Sequence, residues 1–193
     1  MLQEKLKPLK ISCTSSDCGN GLHCFRATQK MKRNNQGGRC RKCGLELIDW
    51  NRIHKRDLSD VGNTFMALKK ELVRHHFWHL EIDVKAINHA HRKGKSKLRD
   101  AVEQRIRKSV SSVAPSFDGR QTPTDGNIIF YAQHATACCC RKCMEYWHNI
   151  PPGRALTGEE MAYFIELVWL YITDRLPSLP DEGEKVPPMR KCS

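Results

Sequence analysis

Residues 134–148 read HATACCCRKCMEYWH and place two histidines and four cysteines within fifteen positions. Soft thiolates and imidazoles at this density are the ligand mixture that tetrahedral zinc takes. Cys140-x2-Cys143-x4-His148 reproduces the spacing of the first three ligands of a CCHC zinc knuckle. The fourth knuckle position falls on Gly153, so another residue must close the site. His134 is the expected closer. Cys139 and Cys138 are the alternatives, since only one of three adjacent thiols easily shares the Cys143 metal. Four protein ligands make such a site structural, whereas three plus water make a Lewis acid and a source of hydroxide. In that second case Asp118, Asp125 and Glu145 could serve as nearby acids or bases. The chain lacks both H-x-E with P-C-x-x-C and H-E-x-x-H, so the structural role is the expectation.

A second group of five cysteines lies between Cys13 and Cys43. Cys40 and Cys43 form R-C-R-K-C-G, a tight knuckle whose Gly44 relieves the backbone after it. Cys13-x4-Cys18 is likewise followed by glycine, Gly19. Together Cys13, Cys18, Cys40 and Cys43 resemble the ligands of a zinc ribbon, with a hairpin containing Leu22–Gln29 between the halves. His23 and Cys24 lie on that expected strand and could replace one of the four. The chain therefore reads as a protein with two Zn2+ ions.

The formal net charge is +12 and is unevenly spread. Residues 1–45 carry 10 Lys/Arg against 2 Asp/Glu, residues 46–115 carry 15 against 9, and residues 116–193 carry 8 against 10. A basic excess confined to the first 115 residues is an electrostatic footprint for nucleic acid or another polyanion. Arg26, Lys30, Lys32, Arg33, Arg39, Arg41 and Lys42 surround the first cysteine group. Lys97, Arg99, Arg105, Arg107 and Lys108 line the outer side of an expected helix. From these, Arg26, Lys30, Lys32, Arg33, Arg41, Lys97, Arg105 and Arg107 are the expected phosphate contacts. The opening MLQEKLKPLK has no apolar h-region, and the longest apolar stretch, within Met161–Ile172, is too short and interrupted to span a bilayer. A cytoplasmic chain follows as the expectation, and in a reducing compartment close cysteines favour metal over disulfides.

The elements that must position these groups are mostly helical. The expected division is a flexible leader at 1–10, a zinc-ribbon-like β module at 11–56, a basic helical region at 57–113, a His/Cys zinc module with a final helix at 114–176, and a mobile tail at 177–193. Ser59 or Asp60 can cap a helix with Val61, Phe65, Leu68, Leu72 and His76 on one face. Asp83 can cap a second that Gly94 stops, and Ser96 a third with Leu98, Val102, Ile106 and Val110 at four-residue spacing. Ile128–Tyr131 reads as a strand leading into His134. A helix near Arg141 ends before Pro151, and Thr157-x-x-Glu160 is a capping box opening the last helix. Its apolar stripe is Met161, Phe164, Ile165, Val168, Trp169 and Ile172. The fold class expected is α+β and helix-rich: zinc ribbon, helical middle, and a zinc-knuckle-like module with a final amphipathic helix.

The phrases D-G-R-Q-T-P (Asp118–Pro123), A-Q-H-A-T (Ala132–Thr136), C-C-R-K-C (Cys139–Cys143) and W-H-N-I-P (Trp147–Pro151) resemble the signature of a bacterial domain of unknown function. The resemblance covers residues 105–173 and brings no established activity. It implies weight on His134, Cys139, Cys140, Cys143 and His148 as ligands, and least on Cys138. Arg74-x4-His79 also fits the R-x4–6-H pattern of HEPN ribonucleases, but a chain of this composition supplies about two such pairs by chance. His75 and His79 share a helix face without further ligands at helical spacing, and the four tryptophans read as core. Zinc-supported nucleic-acid binding, with both metals structural, is the leading functional expectation. A metal-dependent nuclease or hydrolase centred on His134, His148 and Asp118 is the alternative, and a zinc-stabilised protein–protein adaptor is the third.

Overall fold

The computed structural model describes residues 11–115 and 122–186. Asp118, the leader at 1–10 and the end of the tail lie outside the described residues. Eight α-helices order the rest: α1 (Gln29–Arg33), α2 (Trp50–Ile53), α3 (Val61–Leu68), α4 (Leu72–His79), α5 (Val84–Ser109), α6 (Ile128–Ala135), α7 (Arg141–His148) and α8 (Gly158–Arg175). α8 is the central element. Its Tyr163, Phe164, Leu167, Val168, Tyr171 and Ile172 are buried, and α3, α5 and α6 all pack on it. Burial of this stripe supplies the main apolar driving force. The Thr157–Glu160 capping box is present in both directions.

The expected helix through Val61, Phe65, Leu68 and Leu72 is broken into α3 and α4. At the break, His23 N–H donates to the Lys70 carbonyl (2.8 Å), and Leu72 N–H donates to the His23 carbonyl (2.9 Å). The chain exchanges intrahelical bonds for pairing with the N-terminal segment, which satisfies the same backbone groups. This turns Glu71 fully inward.

α5 is two helical stretches joined across a kink. Asp83 caps it by accepting from Ala86 N–H, and Gly94 interrupts it at φ 66, ψ 175. Leu98, Val102 and Ile106 are fully buried along the second half. The expected strand at Ile128–Tyr131 is instead the first half of α6. Asn127 caps it through Ile129 N–H, and Ile128, Ile129, Tyr131 and Ala132 are all buried. A short apolar run enclosed on several sides has no polar face to betray its period.

The segment ahead of α2 holds little regular strand. Among the described residues the β pairing is two isolated bridges, Asp17 with Leu22 and His23 with Glu71. The expected hairpin over Leu22–Gln29 is thus replaced by loops and by α1, which Thr28 caps through Met31 N–H. Phe25, Trp50 and Trp147 then join this segment to α7, with ring centroids 5.1–5.9 Å apart. Trp50 Nε1 donates to the Gly38 carbonyl. A Cβ on Gly38, at φ +83, would lie 2.6 Å from Trp50 Cδ1. No helix among the described residues is long and apolar enough to cross a membrane.

Candidate metal centres

The first centre is built from two knuckles. Asp17 and Leu22 exchange backbone hydrogen bonds of 2.7 and 3.0 Å, and the intervening turn ends on Gly21 at φ 74. This holds Cys18 and His23 together. Opposite them, Cys40 N–H donates to Leu45 and Gly44 N–H to Cys40, each at 2.8 Å, with Gly44 at φ 76. Only a residue without a Cβ takes that conformation freely. Arg41 N–H donates to the Cys24 carbonyl at 2.8 Å and ties the knuckles together.

The ligand atoms of Cys18, His23, Cys40 and Cys43 all lie within 4.8 Å of one another. Cys18 Sγ and Cys40 Sγ are 3.7 Å apart, and Cys43 Sγ lies 3.4 Å from His23 Nδ1. A tetrahedral ion with metal–sulfur bonds of about 2.3 Å has sulfur–sulfur edges of about 3.7 Å. The group could hold one metal ion. Burial acts to raise the Cys40 thiol, but N–H donors of its own knuckle and His23 outweigh it and bring Cys40 down to about 6. Burial and the neighbouring Cys43 and Cys40 thiols push Cys18 the other way, up to about 11, so the negative charge of this pair sits on Cys40. Of the ligands expected here, Cys18, Cys40 and Cys43 come together, while His23 stands where Cys13 was expected.

The second group is Cys139, Cys140 and Cys143, whose sulfurs also lie within 4.8 Å of one another and could hold a metal ion. Cys140 is the N-cap of α7, and its carbonyl accepts from Cys143 N–H, so the first turn of α7 sets the two thiols side by side. Cys138 is excluded by its direction: its sulfur meets Thr136 Oγ1 at 3.2 Å, and burial pushes its thiol up to about 12.

The two histidines expected at this centre are engaged elsewhere. His134 Nε2 donates to the Thr122 carbonyl at 3.0 Å and the ring stacks on Phe77, centroids 4.4 Å apart. His148 Nε2 donates to the Thr136 carbonyl at 3.0 Å, and its ring stands edge-on to Phe164. A carbonyl partner requires Nε2 to carry the proton. Burial lowers both rings, His148 to about 3, so both are neutral packing groups. The surrounding signature residues are consumed in the same internal network. Gln133 donates to Ser109 and to the Cys138 carbonyl, Thr122 Oγ1 donates to the Cys139 carbonyl, and Arg141 donates to the carbonyls of Val110, Pro151 and Arg154.

Beneath the second centre lies a pair of charged residues that spacing alone did not single out as part of it. Arg74 and Glu71 are both fully buried and 3.0 Å apart. Arg74 Nη2 donates to Cys143 Sγ at 3.3 Å and to Tyr146 Oη at 2.7 Å, and Nη1 donates to the His134 carbonyl. Glu71 accepts from Trp147 Nε1 at 2.6 Å, from Tyr146 and from Phe25 N–H. Burial pushes its carboxyl upward against the opposing pull of Arg74. A guanidinium aimed at a ligating thiolate offsets its negative charge and fixes its orientation. The readable signal was two charges, Glu71 and Arg74, inside an apolar helical stripe. Arg74 does not converge with His79, whose ring instead stacks on His75 at 4.0 Å.

Of the basic residues about the first centre, Arg39 pairs with Glu46 at 3.4 Å. Arg26, Lys30, Lys32, Arg33, Arg41 and Lys42 are exposed, and none has a carboxylate partner among the described residues. On α5, Arg105 is half-buried, donates to Gln133 at 3.0 Å and sits over the Phe130 ring. Arg99 pairs with Glu166 and Arg107 with Glu103. Lys97 is exposed.

A family model described as a domain of unknown function (DUF4186) matches residues 62–173. That span runs from α3 to α8 and contains the second centre, while the whole first centre precedes it. No solved structure matches the chain.

Proposed function

The chain belongs to this family of unknown function, so we propose a role from its own side chains: a zinc-supported nucleic-acid-binding protein in which both metals are structural. One observation carries the reading. Six cations at the first metal centre are exposed and, among the described residues, free of carboxylates, while on α5 Arg99 and Arg107 pair with carboxylates and Arg105 is held against Gln133. Solvated lysines and arginines held on a rigid, metal-tied loop system are suited to phosphate oxygens. Zinc is the ion that best fits three thiolates and one imidazole at these separations. With four protein ligands the first centre leaves no position for a reacting water, which supports a structural role for that metal. His134 and His148 direct Nε2 at the Thr122 and Thr136 carbonyls rather than at the second centre, which argues the same way.

Within this reading the contact set is Arg26, Lys30, Lys32, Arg33 and Arg41, extended by Lys97. Arg107 is available too, since an exposed i,i+4 pair contributes little. Arg105 belongs to the fold. The test is binding of a labelled oligonucleotide, duplex and single-stranded, by the zinc-loaded chain. Association at 50 mM salt that weakens roughly 10³–10⁵-fold by 200 mM is expected for about 6–10 phosphate contacts. Absence of binding at low salt, together with capture of a protein partner, would favour the adaptor reading.

A further inference from the structure

We propose that Cys13 is the fourth ligand of the second centre, so that a segment ahead of the family span closes an all-thiolate metal site with Cys139, Cys140 and Cys143. The first centre is complete without Cys13, because His23 supplies its fourth donor. The second has three thiols and lacks one. The Cys13 and Cys143 side chains interact, and the Cys143 sulfur lies within 4.8 Å of those of Cys139 and Cys140. Cys13 is held there by its own backbone, since its carbonyl accepts from the Cys24 thiol at 3.4 Å. The adjacent turn, Ser15 N–H to the Ser12 carbonyl, bends the chain so that Cys13 and Cys18 go to different centres.

The charges fit this assignment. Four thiolates around a divalent ion leave a net charge of −2, which is costly in a buried place. Arg74 brings a permanent cation to within 3.3 Å of Cys143 Sγ, and a guanidinium remains charged where a lysine would lose its proton. The sulfurs of Cys139, Cys140 and Cys143, all within 4.8 Å of one another, suit three corners of a single tetrahedral ion. The two centres are then interleaved along the chain: Cys13 serves the second, Cys18 to Cys43 the first, and Cys139 to Cys143 the second again. Metal in the second centre would pin the N-terminal segment onto α4 and α7.

The assignment is tested on the full chain loaded with cadmium, read by cadmium NMR and by intact mass. Two ions per chain are expected, one resonance at the low-field position of four thiolates and one upfield at that of three thiolates and an imidazole. Cys13→His should move only the low-field resonance upfield, and Cys13→Ser should weaken the second ion at least about tenfold while leaving the first, since losing a ligand costs no less than losing a group that merely orients one. Two resonances that both report a nitrogen ligand, a Cys13→His spectrum identical to the original, or a mass lower by two hydrogens from a Cys13–Cys143 disulfide would each overturn it. Should Cys13→Ser fail to fold, the spectrum of the unaltered chain still decides. None of these outcomes depends on nucleic-acid binding.

Discussion

Glu71 and Arg74 are the residues on which the interior is most dependent. Each is buried, and each would be left as an uncompensated charge by removal of the other. Glu71→Gln or Arg74→Met is expected to destabilise the chain by about 3–5 kcal/mol, and the double variant by less than the sum of the two. Denaturant titration of the three variants checks this, and single losses below about 1 kcal/mol would show that the pair is solvated in solution. His148 gives a pH dependence. Its folded value of about 3 lies below the ordinary histidine value of 6.5, so the unfolded chain binds a proton that the folded chain refuses. That contribution is fully present above pH 6.5 and is lost as pH falls towards about 3, at about 1.4 kcal/mol per pH unit. His134 is shifted in the same direction by burial. Urea midpoints between pH 7 and 5 should therefore slope less steeply in His148→Gln than in the unaltered chain, and equal slopes would place the titration elsewhere.

At the scale of elements, Gly94 is the clearest single dependency. It breaks α5, and a Cβ there would lie 2.6 Å from the Gly183 nitrogen and 2.7 Å from the Asp181 carbonyl. The segment beyond α8 crosses this point, with Lys95 N–H donating to Pro180 and Glu184 N–H to His91. Gly94→Ala combines a left-handed backbone with a backbone clash, and a loss of at least about 1–3 kcal/mol in thermal unfolding is expected. The caps at Asp83 and Thr157 and the stop at Gly94 were legible because each is local chemistry at fixed offsets; of the α8 stripe Phe164, Val168 and Ile172 were read correctly, while Tyr163, Leu167 and Tyr171 are buried in place of Met161, Ile165 and Trp169. Three features were not legible. The α3–α4 break depends on His23, nearly fifty residues away, taking the Lys70 and Leu72 backbone groups. The Ile128–Tyr131 run is enclosed by protein and so carries no period to separate helix from strand. The ligand sets were half legible: density named the cysteines, but Cys13, His23 and His134 were sorted by how the chain turns at Ser12–Ser15 and by the carbonyl of Thr122, neither of which spacing encodes.

Across the whole molecule, the N-terminal segment and the family span share one hydrophobic core, joined by the Phe25–Trp50–Trp147 cluster, the His23 pairing and the Glu71 network. Strong chelation should then cost more than the first knuckles: helical circular dichroism and the tryptophan environment at Trp147 should change with metal loss in one transition. A change confined to the first centre would mean that the helical body stands without metal. Phosphate binding would fall to the exposed cations around that first centre that have no carboxylate partner among the described residues. Its most direct measurement is the salt dependence of oligonucleotide binding by the zinc-loaded chain beside a Lys30→Glu/Lys32→Glu/Arg33→Glu variant. A steep linear fall of log K with log salt is predicted, made shallower in the variant by about 0.9 per lost duplex phosphate contact, with metal content and folding unchanged. Binding that ignores salt, or a variant whose slope matches the unaltered chain, would contradict the account.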